Sequence, residues 1–141
     1  MTQMRPNRAK ATLQAGEIVA CVGGIPDADT IDVMGPSGLD AVWIESEHGP
    51  VDFGDIADMT RACDLWGITS IVRVNWNEPA LIYRTLDRGA QGIVVPHVDT
   101  REDAERMVDA AKFAPIGHRG MYVGRQGHGR PRPHILDLLT V

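Results

Sequence analysis

The sequence predicts a parallel α/β architecture, on three grounds. Short apolar runs such as Ala41-Val42-Trp43-Ile44 and Ile93-Val94-Val95 carry apolar side chains on both faces, which suits strands covered on both sides by helices. Each run is followed by a segment whose apolar residues recur three and four apart, the period of an amphipathic helix. Four such strand-helix units follow one another, each close to the roughly thirty residues of a βαβ repeat.

In chain order, Arg5 to Ala15 reads as a short amphipathic helix or arm ended by Gly16. Ile18 to Val22 is a compact β-branched run, the first strand, stopped by Gly23-Gly24. Asp27 to Met34 is a helix capped by Asp27 or Asp29 and broken by Gly35-Pro36-Ser37-Gly38. The second strand is Ala41 to Ile44. Asp52 or Asp55 caps the next helix, whose inner stripe is Ile56, Met59, Ala62, Cys63 and Trp66 before Gly67 closes it. Ser70 to Val74 is the third strand, apolar apart from Arg73. Asn77 is the expected N-cap of the following helix, with Pro79 in its first turn. Leu81, Ile82, Thr85 and Leu86 form its inner stripe, and Gly89 ends it. Ile93 to Val95 is the fourth strand, leading into Pro96-His97-Val98-Asp99. Thr100 caps the last helix with Asp103 in the capping-box position, and Ala104, Met107, Val108 and Ala111 make its stripe before Pro115.

With 141 residues, 43% apolar and 23% charged, the chain can form one globular core. A net charge of −5 argues against a nucleic-acid or anionic-membrane partner. No apolar run approaches the roughly 18 residues of a membrane span, and the start, M-T-Q-M-R-P-N-R-A-K, leads into no signal-peptide core. Cytoplasm is therefore the expected compartment. Cys21 and Cys63 belong to no C-x-x-C pattern and read as two reduced, buried thiols. A closed (β/α)8 barrel needs about 250 residues, so four units make half of one or a small open sheet. Right-handed crossovers place every strand-to-helix loop on one rim.

That rim collects most of the residues with chemical potential. Glu45, Glu47 and His48 follow the second strand in E-S-E-H-G-P, Arg73 sits at the end of the third, and His97 and Asp99 follow the fourth. Asp87 lies on the helix after the third strand. Two carboxylates and an imidazole this close together are costly to hold unless they pair or work; a solvated loop with a surface histidine is the alternative. A guanidinium inside an apolar strand is costly unless it meets an anion. Arg73 therefore points to an anionic ligand, or else to a salt bridge with Glu45 or Glu47 across neighbouring strands. His97 and Asp99 read as metal ligands or as structural rim residues. Gly23-Gly24 and the Gly117 to Gly120 stretch fit no phosphate-binding pattern and read as turns. Trp43, Trp66 and Trp76 read as core or interface anchors.

E-S-E-H-G-P, then V-R-V-N-W-N-E-P-A-L-I-Y-R-T-L-D-R-G-A-Q-G-I-V-V-P-H-V-D-T, and then A-P-I-G-H-R-G together resemble the HpcH/HpaI aldolase/citrate lyase family, from about Arg5 to about Gly127. The resemblance implies a TIM barrel in an oligomer, here a partial (β/α)8 barrel of about four βα units. It implies a metal-dependent (class II) aldolase that cleaves or forms the bond between pyruvate, or another small 2-keto acid, and an aldehyde. By the same resemblance His48 is the general base, acting directly or through water, Arg73 stabilises the pyruvate enolate, and Asp87 raises the basicity of the histidine. Glu47 matches the acidic member of the family's E-H pair, and Glu45 stands where relatives often carry Asp, in support of His48. The chemistry agrees: an imidazole titrates near neutrality, a neighbouring carboxylate orients it, and a fixed guanidinium offsets charge developing on an enolate oxygen.

The resemblance also implies a divalent metal, Mg²⁺ or Mn²⁺, held in the family by a Glu and an Asp on strands beyond the fourth. Hard cations need several oxygens held together. Glu45, Glu47 and Asp99 are the remaining rim carboxylates and are not expected to replace that pair, so no metal ligand is assigned in this chain. After Gly127 the residues H-G-R-P-R-P-H-I-L-D-L-L-T-V lose the family pattern, as a shifted reading frame or damaged gene would produce. Residues 1–127 thus read as the N-terminal half of the barrel and 128–141 as a disordered tail; Arg119, Arg125, Arg130 and Arg132 read as a nucleic-acid contact or, with no aromatic interleaving beyond Tyr122, as a disordered basic stretch. Half a barrel exposes two sheet edges and an apolar surface. The alternative to an aldolase, active or inactive, is therefore a non-catalytic α/β module that associates through those edges.

Overall fold

The computed structural model describes residues 5–122; the expected tail at 128–141, with Arg125, Arg130 and Arg132, lies outside them. Four strands, β1 (Cys21–Gly23), β2 (Ala41–Glu45), β3 (Thr69–Arg73) and β4 (Gly92–Val94), form one parallel sheet in the order β1-β2-β3-β4. Helices α2 (Ala28–Met34), α3 (Ile56–Leu65), α4 (Pro79–Asp87) and α5 (Arg101–Ala111) follow the successive strands, and α1 (Arg8–Gln14) precedes them. The result is an α/β half barrel of four βα units.

The strand pleat divides the sheet into two faces. Val42 and Ile44 of β2 and Val72 of β3 are fully buried and pack with Ile31, Ile56 and Met59 of the helices. Trp43 and Glu45 of β2, and Ile71 and Arg73 of β3, lie on the other, partly open face. One face of this sheet is therefore covered by helices and the other is concave and accessible. The same period carries the polar pair into place: β2 and β3 pair with Glu45 opposite Arg73, at the C-terminal ends of both strands.

Local signals account for most helix starts. Asp27 accepts from the Thr30 amide at 2.8 Å and caps α2. Thr100 and Asp103 form the full capping box of α5. Asp55 occupies the N-cap of α3, but its carboxylate accepts from the Asp52 amide at 2.9 Å instead of from the helix. The expected Asn77 cap is corrected by one residue. Pro79 disfavours helical backbone in the residue before it, so Glu78 is extended and takes the cap position, while Asn77 is buried with neither side-chain amide atom hydrogen-bonded.

Three further expectations are revised. The first strand starts at Cys21 and not at Ile18, which is 93% exposed. Pairing is fixed by the Ala20 carbonyl, which accepts from the amides of Asp40 and Ala41, so Ile18 and Val19 precede the sheet. Cys63 is buried as expected, but Cys21 is exposed, because it lies on the edge strand; the two are not joined in a disulfide. Trp66 leaves the inner stripe of α3 to sit at its C-cap, where its Nε1 donates to Asp32 Oδ1 at 3.0 Å. Its indole presses so closely on Gly35 that a Cβ there would come within 2.1 Å of the ring.

Ile44→Ala, which empties a fully buried site between sheet and helices, is expected to lower stability by about 2–5 kcal/mol. Thr100→Ala, which removes a cap, is expected to cost about 1 kcal/mol. Urea unfolding of the two variants checks this order, and a larger loss for Thr100→Ala would contradict the placement of the core.

Candidate active site

The C-terminal ends of β2 and β3, together with the loop after β4, bring five ionisable side chains together. Arg73 Nε donates to Glu45 Oε1 at 3.0 Å, and its Nη2 lies 2.7 Å from Glu45 Oε2. Arg73 Nε also lies 3.2 Å from Glu47 Oε2. The other Glu47 oxygen, Oε1, is 3.2 Å from His97 Nε2 and 3.6 Å from His48 Nε2. Arg73 and His48 thus meet the same carboxylate. Both alternatives open at Arg73 bear on this geometry: the cross-strand salt bridge is formed, and it leaves the guanidinium on the accessible face beside an imidazole.

The loop after β2 folds back over its own strand end. Glu45 Oε1 accepts from the backbone amides of Glu47 at 2.8 Å and His48 at 3.2 Å, and Oε2 accepts from Trp43 Nε1 at 3.0 Å. Gly49 makes the return possible, since a Cβ there would stand 2.6 Å from the Glu45 carbonyl oxygen. Glu45 therefore supports His48 through its backbone and not through its ring. Burial acts to raise the Glu45 carboxyl, but the hydrogen bonds from Arg73, Trp43 and the two amides outweigh it and hold the group at about 2. The same contact with Glu45 pushes Arg73 upward, against its desolvation.

His97 reaches the cluster from a backbone φ of 56°, the one positive-φ residue other than glycine among the described residues. That left-handed conformation costs roughly 1–2 kcal/mol for an L-residue. The His97 ring packs on Trp76 with centroids 4.5 Å apart. Asp99, from the same loop, is exposed and stands outside the cluster's ion pairs.

Asp87 lies elsewhere, on the helix layer. Arg119 Nη2 donates to its Oδ1 at 2.6 Å, and the Arg119 guanidinium stacks over Phe113 at 4.6 Å. Arg119 is 7% exposed, so it is a structural clamp and not part of a solvated basic tail. Within one chain, the carboxylate beside His48 is Glu47, and Asp87 is held by Arg119. Sequence reasoning passed over the Arg119 clamp and the His97 contact with Glu47; the arginine of A-P-I-G-H-R-G and a histidine at a strand end were the available signals.

The rim does not fit a divalent cation by itself. Among the described residues, no group of three or more His, Cys, Asp or Glu side chains is arranged to hold a metal. The chemistry of the donors explains this. A carboxylate offers about four lone-pair sites, and those of Glu45 already serve Arg73, Trp43 and two amides.

A parallel half barrel with a cluster of ionisable side chains at its strand ends has the layout of βα barrels, whose functional residues gather at the C-terminal rim. The model of the HpcH/HpaI aldolase/citrate lyase family matches residues 25–132, and the chain belongs to that family. A 5-keto-4-deoxy-D-glucarate aldolase of Salmonella paratyphi A is 32% identical over 124 residues, covering 87% of this chain and 48% of the relative. The solved HpcH/HpaI aldolase from Desulfitobacterium hafniense DCB-2 superposes with a TM-score of 0.79 at 25% identity, over 94% of this chain and 53% of that one. Citrate synthase SbnG superposes with a TM-score of 0.76 at 36% identity, over 82% and 48%. The chain spans about half the length of the relatives it matches.

The Glu45 carboxyl sits below the ordinary 4.5 of an unfolded chain. Its ionised form therefore stabilises the fold fully above about pH 4.5, and that contribution is lost as pH falls toward about 2. Glu45→Gln is expected to be less stable at neutral pH and to have a flatter stability profile across that window. Urea midpoints measured against pH check this; parallel profiles for the two proteins would contradict it.

Proposed function

We propose that the rim is the enolate-forming part of an aldolase site, acting on pyruvate or another small 2-keto acid and an aldehyde. The observation that carries this reading is the Glu47 carboxylate, which gathers Arg73 and His48 into one accessible rim. In the cleavage direction, His48 takes the hydroxyl proton of the adduct, the carbon-carbon bond breaks, and its electrons pass to the keto-acid fragment as an enolate. Arg73 faces the developing oxyanion, where a fixed guanidinium stabilises the transition state more than the ground state. The proton then returns to the enolate carbon, giving the keto acid and the free aldehyde. The metal dependence implied by the family is part of the proposal, with ligands supplied from outside the residues described, because Glu45 is spent on Arg73, Trp43 and two amides and Glu47 on Arg73 and the imidazoles, which leaves Asp99 by itself.

A second reading is favoured by the open geometry. Among the described residues β1 and β4 are the edge strands, and Leu13, Ile71 and Gly92 border a groove of about 420 Å³ between α1 and the sheet. Unpaired edges invite association with another chain. On this reading the chain is a non-catalytic module, and light scattering that found a monomer at all concentrations would remove it.

The discriminating measurement is hydrogen-deuterium exchange of the pyruvate methyl group in D₂O, with and without added Mg²⁺ or Mn²⁺. Exchange above background is expected, with a loss of about a hundredfold in His48→Ala and a comparable loss in Arg73→Ala, both with unchanged circular dichroism. Exchange that is absent with either metal, or that survives both substitutions, would refute the enolate-forming role.

A further inference from the structure

Glu47 is the meeting point of three strand ends. Arg73 approaches its Oε2 from β3, and His48 and His97 approach its Oε1 from the loops after β2 and β4. The Glu47 side chain is 10% exposed, so these partners, and not water, decide where the carboxylate points. Of the two imidazoles, His97 comes closer, and it does so from a left-handed backbone well that L-residues seldom occupy. Such conformations persist where the surroundings hold them, and they gather at functional sites. The Trp76 ring supplies part of that hold.

Resting on the reading of Arg73 and His48 given above, we propose that His97 is a positioning residue that keeps the second Glu47 oxygen, Oε1, from joining Oε2 on Arg73. Glu45 already occupies Nε and Nη2 of the guanidinium. If Glu47 turned both oxygens toward Arg73, two carboxylates would take up to four of its five N–H donors and leave an anionic keto acid no pair of parallel donors. His97 holds Oε1 on the far side and leaves Arg73 an edge for the ligand. His48, at 3.6 Å, is too distant to replace it.

The test reads Arg73 directly, by the ¹⁵N-labelled Nε–H resonance, assigned through its disappearance in Arg73→Lys. His97→Gly removes the imidazole and suits the left-handed backbone. His97→Asn, tolerated there but too short to reach Glu47, carries the same expectation should the glycine variant fail to fold. In either variant the resonance is expected to move downfield and its exchange with water to slow severalfold. His97→Gln, whose side-chain NH₂ replaces the imidazole Nε2 as a donor to Glu47, is expected to remain near wild type. Oxalate, a planar mimic of the pyruvate enolate, is then expected to bind about fivefold more weakly to His97→Gly than to wild type. An Arg73 resonance unchanged in both His97→Gly and His97→Asn overturns the positioning role, whether or not oxalate binds. A wild-type chain that does not bind oxalate, with the resonance displaced as expected, counts against the keto-acid reading while supporting the hold of His97 on Glu47.

Discussion

The ion cluster formed by Arg73 with Glu45 and Glu47 is the constraint on which the rim depends. A guanidinium at the end of a largely apolar strand loses hydration, and pairing must offset that loss. Here the pairing is side-on and double: Glu45 takes Nε and Nη2, and Glu47 sits against Nε from the next turn of chain. Removing either carboxylate would leave a charge short of partners, which is more damaging than never having placed one there. The arrangement also suits arginine specifically, because a lysine ammonium is a point charge and cannot present two parallel donors to one carboxylate.

That cluster is a direct product of strand geometry. Side chains alternate across a strand, and the register fixes which alternate positions meet. With Glu45 opposite Arg73, a slip of one residue would turn the guanidinium into the helix-facing core beside Val72 and Ile44. The hydrophobic pattern that builds the core therefore also sets the charge on the concave face. The loop after β2 then adds Glu47 and His48 by wrapping over Glu45, with its amides pointed at the carboxylate and Gly49 tucked beneath. Fold and site are here two consequences of one alternation.

What the sequence made legible was local. The capping box at Thr100, the Asp27 cap and the strands at Ala41 and Ser70 rest on residues within four of one another. The βα periodicity, and the family resemblance that covers it, followed from such signals. What stayed hidden depended on distant partners. Ile18 looked like strand because it is β-branched, yet pairing with Asp40 and Ala41 starts the strand later. Arg119 looked like the start of a basic tail, but an aspartate 32 positions earlier claims it. His97 and Glu47 lie in different βα units, and no local pattern announces their contact. Asn77 is an intermediate case: the proline two residues on was visible, and its effect on Glu78 outweighed the capping preference of asparagine.

Charge balance ties the remaining features together. With both imidazoles neutral, Glu45, Glu47 and Arg73 leave the rim with one negative charge in excess, and an anionic keto acid would add to it. An anion binds well only if positive charge accompanies it. Two sources exist in principle, a proton on an imidazole or a divalent cation, and the rim is built unequally for them. Glu45 has no lone pair to spare for a metal, whereas two imidazoles already face one oxygen of Glu47. From its own residues, this half of the barrel therefore supplies a guanidinium and two imidazoles gathered round one carboxylate. A divalent cation beside Glu47 would compete with His97 for that carboxylate.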